Sequence, residues 1–143
     1  MTVDQLSVFL ENKSGKLAEV TGILTEAHIN ILALTLLDTS EFGVLRLIVD
    51  HTELALRVLK DSGLTASKTD VVAIRVEDHP GGLHKILNVL KQADINVAYM
   101  YDYLRRAGKD AILIFRFDDM APSLAMLRAE GVPVIEADEL FSL

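Results

Sequence analysis

The sequence predicts an α+β fold built from two small units in tandem, residues 1–70 and 71–143, each with the element order β-α-β-β-α-β. The first reason is a repeat: seven of the 22 positions from Leu10 to Ile31 are identical 66 residues later. The others are apolar-polar alternation, which is typical of strands, and apolar residues at helical spacing between the strands. A repeat of this length is a small domain, because solenoid repeats have about 20–45 residues.

Each unit opens with a strand that has one buried face, as a period of two indicates. The buried positions are Leu6, Val8 and Leu10 in the first unit and Val72, Ile74 and Val76 in the second. Arg75 lies on the opposite face, so we expect that face of the sheet to be open at least in part.

A helix follows in each unit, since apolar residues recur three and four positions apart. They are Leu17, Val20, Ile23, Leu24 and Ala27 in the first unit and Leu83, Ile86, Leu87, Leu90 and Ala93 in the second. We expect Ser14 to be the N-cap of the first helix. Pro80 is expected at the start of the second, where its missing N–H does no harm.

Two strands, a second helix and a last strand complete each unit. The strands are predicted at 29–37, 44–49 and 65–70, and at 95–104, 111–117 and 132–136, with hairpin turns at 38–43 and 105–110. Gly63 and Gly131 stand where the C-terminus of a helix favours glycine. Right-handed crossovers then put both helices on one face of a four-stranded antiparallel sheet, the ferredoxin-like arrangement.

The composition excludes several classes of protein. A net charge of −7 and a pI near 5.0 argue against a nucleic-acid partner. The absence of cysteine excludes a thiol nucleophile, and the four scattered histidines do not suggest a metal site. No signal peptide or membrane span is recognisable. We therefore expect a cytoplasmic protein without cofactor, metal or membrane contact.

The loop between the first strand and the first helix is the first candidate site in each unit, at residues 12–16 and 78–82. A helix start offers unpaired backbone N–H groups to carboxylates and other anions. Glycine at Gly15 and Gly81 lets the backbone approach a small ligand. The alternative is that each glycine only forms a tight turn. Asn30 and Asn96, where the helix ends and the next strand begins, are the second candidates, and turn-forming asparagines are the alternative there.

These motifs resemble the ACT domain, a small regulatory module of amino-acid metabolism. Glu-Asn-Lys-Ser-Gly-Lys-Leu precedes Ile-Asn-Ile in the first copy, and Glu-Asp-His-Pro-Gly-Gly-Leu precedes Ile-Asn-Val in the second. The resemblance covers nearly the whole chain as two tandem copies. It implies that paired domains form a continuous eight-stranded sheet. It also implies that a small amino acid binds at the interface between ACT units, against the glycine loop and the start of the second strand.

Carried over residue by residue, the resemblance implies two sets of ligand-binding residues. They are Asn12, Ser14, Gly15, Lys16, Leu17, Asn30 and Ile31 in the first copy and Asp78, Pro80, Gly81, Gly82, Leu83, Asn96 and Val97 in the second. The first loop lacks the proline that is usual before the glycine. In the second, Asp78 replaces Asn12, and an acid there would repel a ligand carboxylate but could hold an α-ammonium group.

Three functions follow for comparison. The resemblance implies a non-catalytic sensor that binds a small amino acid and signals to a metabolic enzyme or other partner. The alternative is a ligand-free regulatory subunit that acts only through protein contacts. An acylphosphatase-like enzyme would share the topology, but that class has an arginine in the glycine loop, and neither loop here contains one.

A row of tyrosines suggests self-association. Tyr99, Tyr101 and Tyr103 alternate along a predicted strand and therefore share one face. Such a row forms either ordinary sheet packing or an interface or pocket wall. Together with Phe9 on the open face, it predicts a homodimer.

Overall fold

The structure is a computed structural model and describes residues 2–38 and 41–143. The predicted turn at 38–43 therefore lies partly outside the described residues. The chain divides into two compact units: residues 4–69 form the first, and residues 70–143 with the first residues of the chain form the second.

The first unit has the predicted element order. It contains β1 (Val3–Glu11), α1 (Lys16–Glu26), β2 (Ile31–Asp38), β3 (Phe42–Val49), α2 (Thr52–Asp61) and the first part of β4 (Thr65–Val76). The strands lie in the order β2-β3-β1-β4, and β3 is antiparallel to both β1 and β2. β2 is thus an edge strand of its unit.

The second unit repeats this arrangement with one additional helix. It contains the rest of β4, then α3 (Gly82–Gln92), β5 (Val97–Asp102), β6 (Ala111–Phe117), α4 (Met120–Ala129), β7 (Val134–Ile135) and α5 (Ala137–Phe141). The strand order β7-β4-β6-β5 matches that of the first unit, and the pairs are antiparallel.

The last strand of the first unit and the first strand of the second are one strand, β4. The described residues therefore contain seven strands where eight were expected. The physical reason lies in residues 65–76, which include neither glycine nor proline and are rich in β-branched side chains. Nothing in this segment favours a turn.

Each unit packs its helices on one face of its sheet around a separate apolar core. The predicted buried positions of the opening strands are confirmed: all six are at most 4% exposed. In α1 the buried residues are Val20 and Leu24, and in α3 they are Gly82, Ile86 and Leu90. The helical spacing read from the sequence therefore identifies the helix faces that build the cores.

The C-terminal segment differs from the expectation. The strand expected at 132–136 shortens to Val134–Ile135, and the unpredicted helix α5 follows it. With five residues, α5 is too short to show a helical period in the sequence. Leu140 of α5 is buried, and its carbonyl oxygen accepts a hydrogen bond from the Tyr103 hydroxyl at 3.3 Å.

The tyrosine row is mostly internal packing, so the first of its two alternatives, ordinary sheet packing, applies. Tyr101 and Tyr103 are buried, and the rings of Tyr99 and Tyr101 stack with centroids 6.5 Å apart. Burial raises the pKa of Tyr103 above its usual value, and Arg105 opposes this shift. Phe9 is 51% exposed.

Candidate functional site

The two glycine loops have the same backbone geometry. Gly15 and Gly81 each precede the first residue of a helix and have φ angles of +88° and +92°. This left-handed conformation is costly for any residue with a Cβ. A Cβ built on either glycine would meet nothing within 4 Å, so packing does not demand glycine here. The backbone angle does, and the open space leaves room for a molecule to approach.

The expected roles of Ser14 and Pro80 at the helix starts are wrong. The N-cap positions belong to Gly15 and Gly81, and neither helix start has a side-chain cap. Pro80 precedes α3 by two residues rather than opening it. The first N–H of each helix, from Lys16 and Gly82, donates to the carbonyl of Lys13 and His79 at 3.3 and 3.0 Å. The glycine cap has no side chain that could accept from the next N–H groups, and these face the loop. Each loop therefore offers donors to an anionic group.

A short ionic pair braces each loop. Glu11 contacts Lys13 at 2.8 Å, and Glu77 contacts the His79 ring at 2.5 Å. The backbone N–H of Lys13 also donates to the Glu11 carbonyl at 2.9 Å, and that of His79 donates to the Glu77 carbonyl at 3.1 Å. The repeated glutamate thus has a local structural role.

These pairs also shift two pKa values. The hydrogen bond from Lys13 and its charge, with that of Lys16, lower the pKa of Glu11. The Pro80 carbonyl and then Glu77 raise the pKa of His79 above its usual value of 6.5.

In the second loop, the backbone at Gly82 lies so close to the preceding strand that no side chain would fit there. A Cβ on Gly82 would lie 2.0 Å from the carbonyl oxygen of Glu77, which is an impossible approach. The first copy has Lys16 at this position. The second glycine of the second loop is therefore a packing requirement.

Asp78 is neutralised by an arginine from the β5–β6 hairpin. Its carboxylate lies 2.6 Å from the Arg106 guanidinium, which also donates to the Lys109 carbonyl. Arg106 lies in the hairpin turn predicted at 105–110, and no arginine was expected near either loop. The structure brings it there, although two acceptors already engage its guanidinium. Asp78 therefore does not act as an isolated negative charge in the loop.

The asparagines lie at the opposite end of the first helix from the glycine loop. Eleven residues separate the two ends, or about 16 Å at 1.5 Å per residue. Within one unit, the structure does not bring Asn30 to Gly15 or Asn96 to Gly81.

Each asparagine is tied to an aspartate that sequence analysis did not single out. The Asn30 backbone N–H donates to the Asp50 carboxylate at 2.9 Å, and the Asn96 side chain donates to Asp118 at 2.8 Å. Asp50 and Asp118 recur 68 positions apart just after a strand, and this recurrence was the available signal. The pairs join the start of one strand to the end of the next.

The remaining candidates divide between surface and core. Asn12, Ser14 and Lys16 line the first loop or its helix start, and Leu17 is 42% exposed on the first turn of α1. Ile31 packs against the first core, and Leu83 and Val97 pack against the second. The apolar candidates other than Leu17 therefore serve mainly to build the cores.

A cavity lies beside each glycine loop, inside its own unit. The first has a volume of about 330 Å³ and the second about 190 Å³. Each is bounded by the end of the opening strand, the first turn of the first helix and the C-terminal turn of the second helix. This last wall was not predicted, because Ser62 lies 51 residues after Glu11, Glu130 lies 53 residues after Glu77, and no local pattern links them.

Other kinds of site find no support in residues 2–38 and 41–143. No group of three histidines or carboxylates there could hold a metal ion. Within the same ranges, every helix is too short or too polar to span a bilayer. The loops and their cavities are suited to binding a small polar molecule.

Comparison with known proteins agrees with this arrangement. The sequence matches the family described as ACT domain pair over residues 1–143. A crystal structure of a protein from Bacteroides thetaiotaomicron is 36% identical and has a TM-score of 0.92, with 100% of this chain and 98% of that chain covered. No curated protein matches the sequence.

Two further solved structures are similar at lower identity. The ligand-free regulatory subunit of aspartate kinase from Thermus thermophilus is 17% identical over 90% of each chain, with a TM-score of 0.65. The corresponding subunit from Thermus flavus is 16% identical over 88% of each chain, with a TM-score of 0.58. At these identities the likeness concerns the fold alone.

Proposed function

Because the chain belongs to the family of ACT domain pairs, we propose that it is a non-catalytic regulatory protein that binds a small amino acid. One observation carries the proposal: both units keep a left-handed glycine at an uncapped helix start, with open space around it. Such a loop can hold a carboxylate with backbone N–H groups. The family match supplies the class of ligand.

The proposed contacts are the loop residues near Gly15 and Gly81. Asn30 and Asn96 lie too far from the loop of their own unit to share one small ligand with it. The placement of the ligand between ACT units, which the resemblance implies, is part of the proposal. Binding that favours one of two arrangements of the protein would shift their populations and so carry a signal.

The partner is proposed to be a metabolic enzyme. The two Thermus structures are regulatory subunits of aspartate kinase, but they share only the fold with this chain. They support the general idea of a regulatory subunit and leave the identity of the enzyme open. Co-purification of a stoichiometric enzyme from the native host would identify it.

A second candidate function is a regulatory subunit without a ligand. The observation that favours it is that the charges of the loops are paired internally: Glu11 with Lys13, Glu77 with His79, and Asp78 with Arg106. In this case the partner enzyme would bind equally well with and without amino acids.

A thermal-shift screen of the twenty amino acids at millimolar concentration tests the proposal. A ligand at a hundred times its Kd stabilises the folded state by about 2.7 kcal/mol, which raises Tm by several degrees. We expect at least one small amino acid to do so and calorimetry to confirm its binding. If no amino acid raises Tm or produces heat, the sensor function is wrong and the ligand-free subunit is favoured.

A further inference from the structure

The cavities beside the two glycine loops occupy equivalent positions in the repeat. Nine wall positions correspond between the units, at an offset of 66 residues before the hairpin and 68 after it. Glu11 corresponds to Glu77, and Gly63 corresponds to Gly131. The cavity is therefore a feature of the fold that both copies retain, and the chemistry of its walls can be compared directly.

The second cavity combines an apolar side with two uncompensated charges. Ile86, Val89 and Val132 form its apolar side. Arg75 is paired with Asp110 at 2.7 Å, and Glu77 is paired with His79. Among the described residues, the side chains of Lys85 and Glu130 have neither an ion pair nor a hydrogen bond. One cation and one anion at the rim are thus available to a ligand.

The first cavity has no such pair of charges. Glu19 stands in the position of Lys85, and it contacts Lys16 at 3.4 Å. Ser62 stands in the position of Glu130, and its hydroxyl donates to the Val58 carbonyl. Phe9 and Phe42 replace the Arg75–Asp110 pair. The first cavity therefore offers no unpaired cation and anion to a molecule that carries both charges.

We propose that the cavity of the second unit, and not that of the first, binds a small aliphatic amino acid. The inference rests on the proposed function, but it places the amino acid in a cavity inside one copy instead of between ACT units. Lys85 holds the α-carboxylate, Glu130 holds the α-ammonium group, and the apolar side receives the side chain. With a volume of about 190 Å³, the cavity is large enough for a small amino acid.

The experiment is isothermal titration calorimetry of the full chain with glycine, alanine, valine, leucine and isoleucine. Three variants change the second cavity: Lys85→Gln, Glu130→Gln and Val89→Phe. Three matched controls change the equivalent positions of the first unit: Glu19→Gln, Ser62→Ala and Ile23→Phe. Lys85 and Glu130 are exposed, so their variants should fold, and circular dichroism checks this for all six.

We expect an aliphatic amino acid to bind the unmodified chain. Each charge variant should weaken binding by at least about tenfold, because a hydrogen bond to a charged group is lost. Val89→Phe should abolish binding by filling the cavity. The three controls should leave Kd within about twofold.

The outcomes separate this inference from the function on which it rests. If no amino acid binds the unmodified chain, the proposed function itself fails. If an amino acid binds but the second-cavity variants bind it normally, the function stands and the assignment to this cavity is overturned. Weaker binding in the first-unit controls alone would place the site in the first copy, which also overturns the inference.

Discussion

Left-handed backbone positions recur in both copies, but only some of them are glycine. His28 and Asp94 follow the first helix of each unit with φ angles of +57° and +56°. The residue after each of them donates a backbone hydrogen bond to the last turn of the helix; the Ile29 N–H, for example, donates to the Leu24 carbonyl at 2.9 Å. A helix end thus tolerates a side chain in this conformation, whereas both helix starts carry glycine. This contrast makes Gly15 an informative position for mutation.

Alanine at Gly15 should destabilise the protein by about 1 kcal/mol, because a Cβ is unfavourable at φ +88°. Gly22→Ala is the matched control in the interior of the same helix, where open space also surrounds the glycine. It should stabilise by about 1 kcal/mol, because alanine favours helix. Urea unfolding midpoints measure both changes, and a shift in the same direction for the two variants would contradict the assignment of Gly15.

The titration of His79 should report the geometry of the second loop. The Pro80 carbonyl and Glu77 raise its pKa above 6.5 in the folded state. The pair therefore stabilises the fold fully below pH 6.5, and this stabilisation is lost as pH rises through the folded pKa. We expect nuclear magnetic resonance titration to show a raised pKa that Glu77→Gln lowers only in part. Glu26→Gln, at a distant exposed acid, should leave it unchanged; an unshifted His79 in the unmodified protein would contradict the loop geometry.

Among the elements, β2 stands out as an apolar edge strand of the first unit. Leu34, Leu36 and Leu37 are 44%, 46% and 62% exposed. An exposed edge with apolar side chains is a template for pairing with another chain. The buried tyrosines no longer support the predicted homodimer, and this strand now supports it instead.

Leu36→Lys should convert a dimer into a monomer, because a charge at the centre of such an edge opposes pairing. The control is Asp102→Lys, at the equivalent position of β5, where the natural residue is already charged. Light scattering at micromolar concentration measures the molar mass of each variant. A monomeric unmodified protein, or a dimeric Leu36→Lys variant, would argue against this edge.

For the whole molecule, the duplicated fold predicts two sites, whereas the chemistry of the cavities predicts one. Only the second cavity carries the unpaired Lys85 and Glu130. We expect calorimetry to give a stoichiometry of about one amino acid per chain. A value of two would mean that both copies bind, in spite of the different charges of their walls.

The sequence predicted what local patterns determine. Period-two strands, helical spacing and the glycines at Gly63 and Gly131, which adopt φ angles of +84° and +71°, follow from nearby residues. The pairs Arg106–Asp78 and Arg75–Asp110 were not predictable, because their members lie 28 and 35 positions apart with no period linking them. Helix α5 was not predicted because it is too short to show a helical period in the sequence. The cavity wall at Glu130 was not predicted because Glu130 lies 53 positions after Glu77 and no local pattern links the two.

The single strand β4 has a consequence for synthesis on the ribosome. Its first part completes the sheet of the first unit. Residues 70–76 can pair with β6 only after β6 has been synthesised, and β6 begins 35 residues after Val76. At about 5–20 residues per second, the emerging chain carries this half-strand unpaired for roughly two to seven seconds. The charges of Asp70 and Arg75 lie on that half-strand and would discourage mispairing with neighbouring nascent chains until Asp110 and Arg116 arrive to bind them.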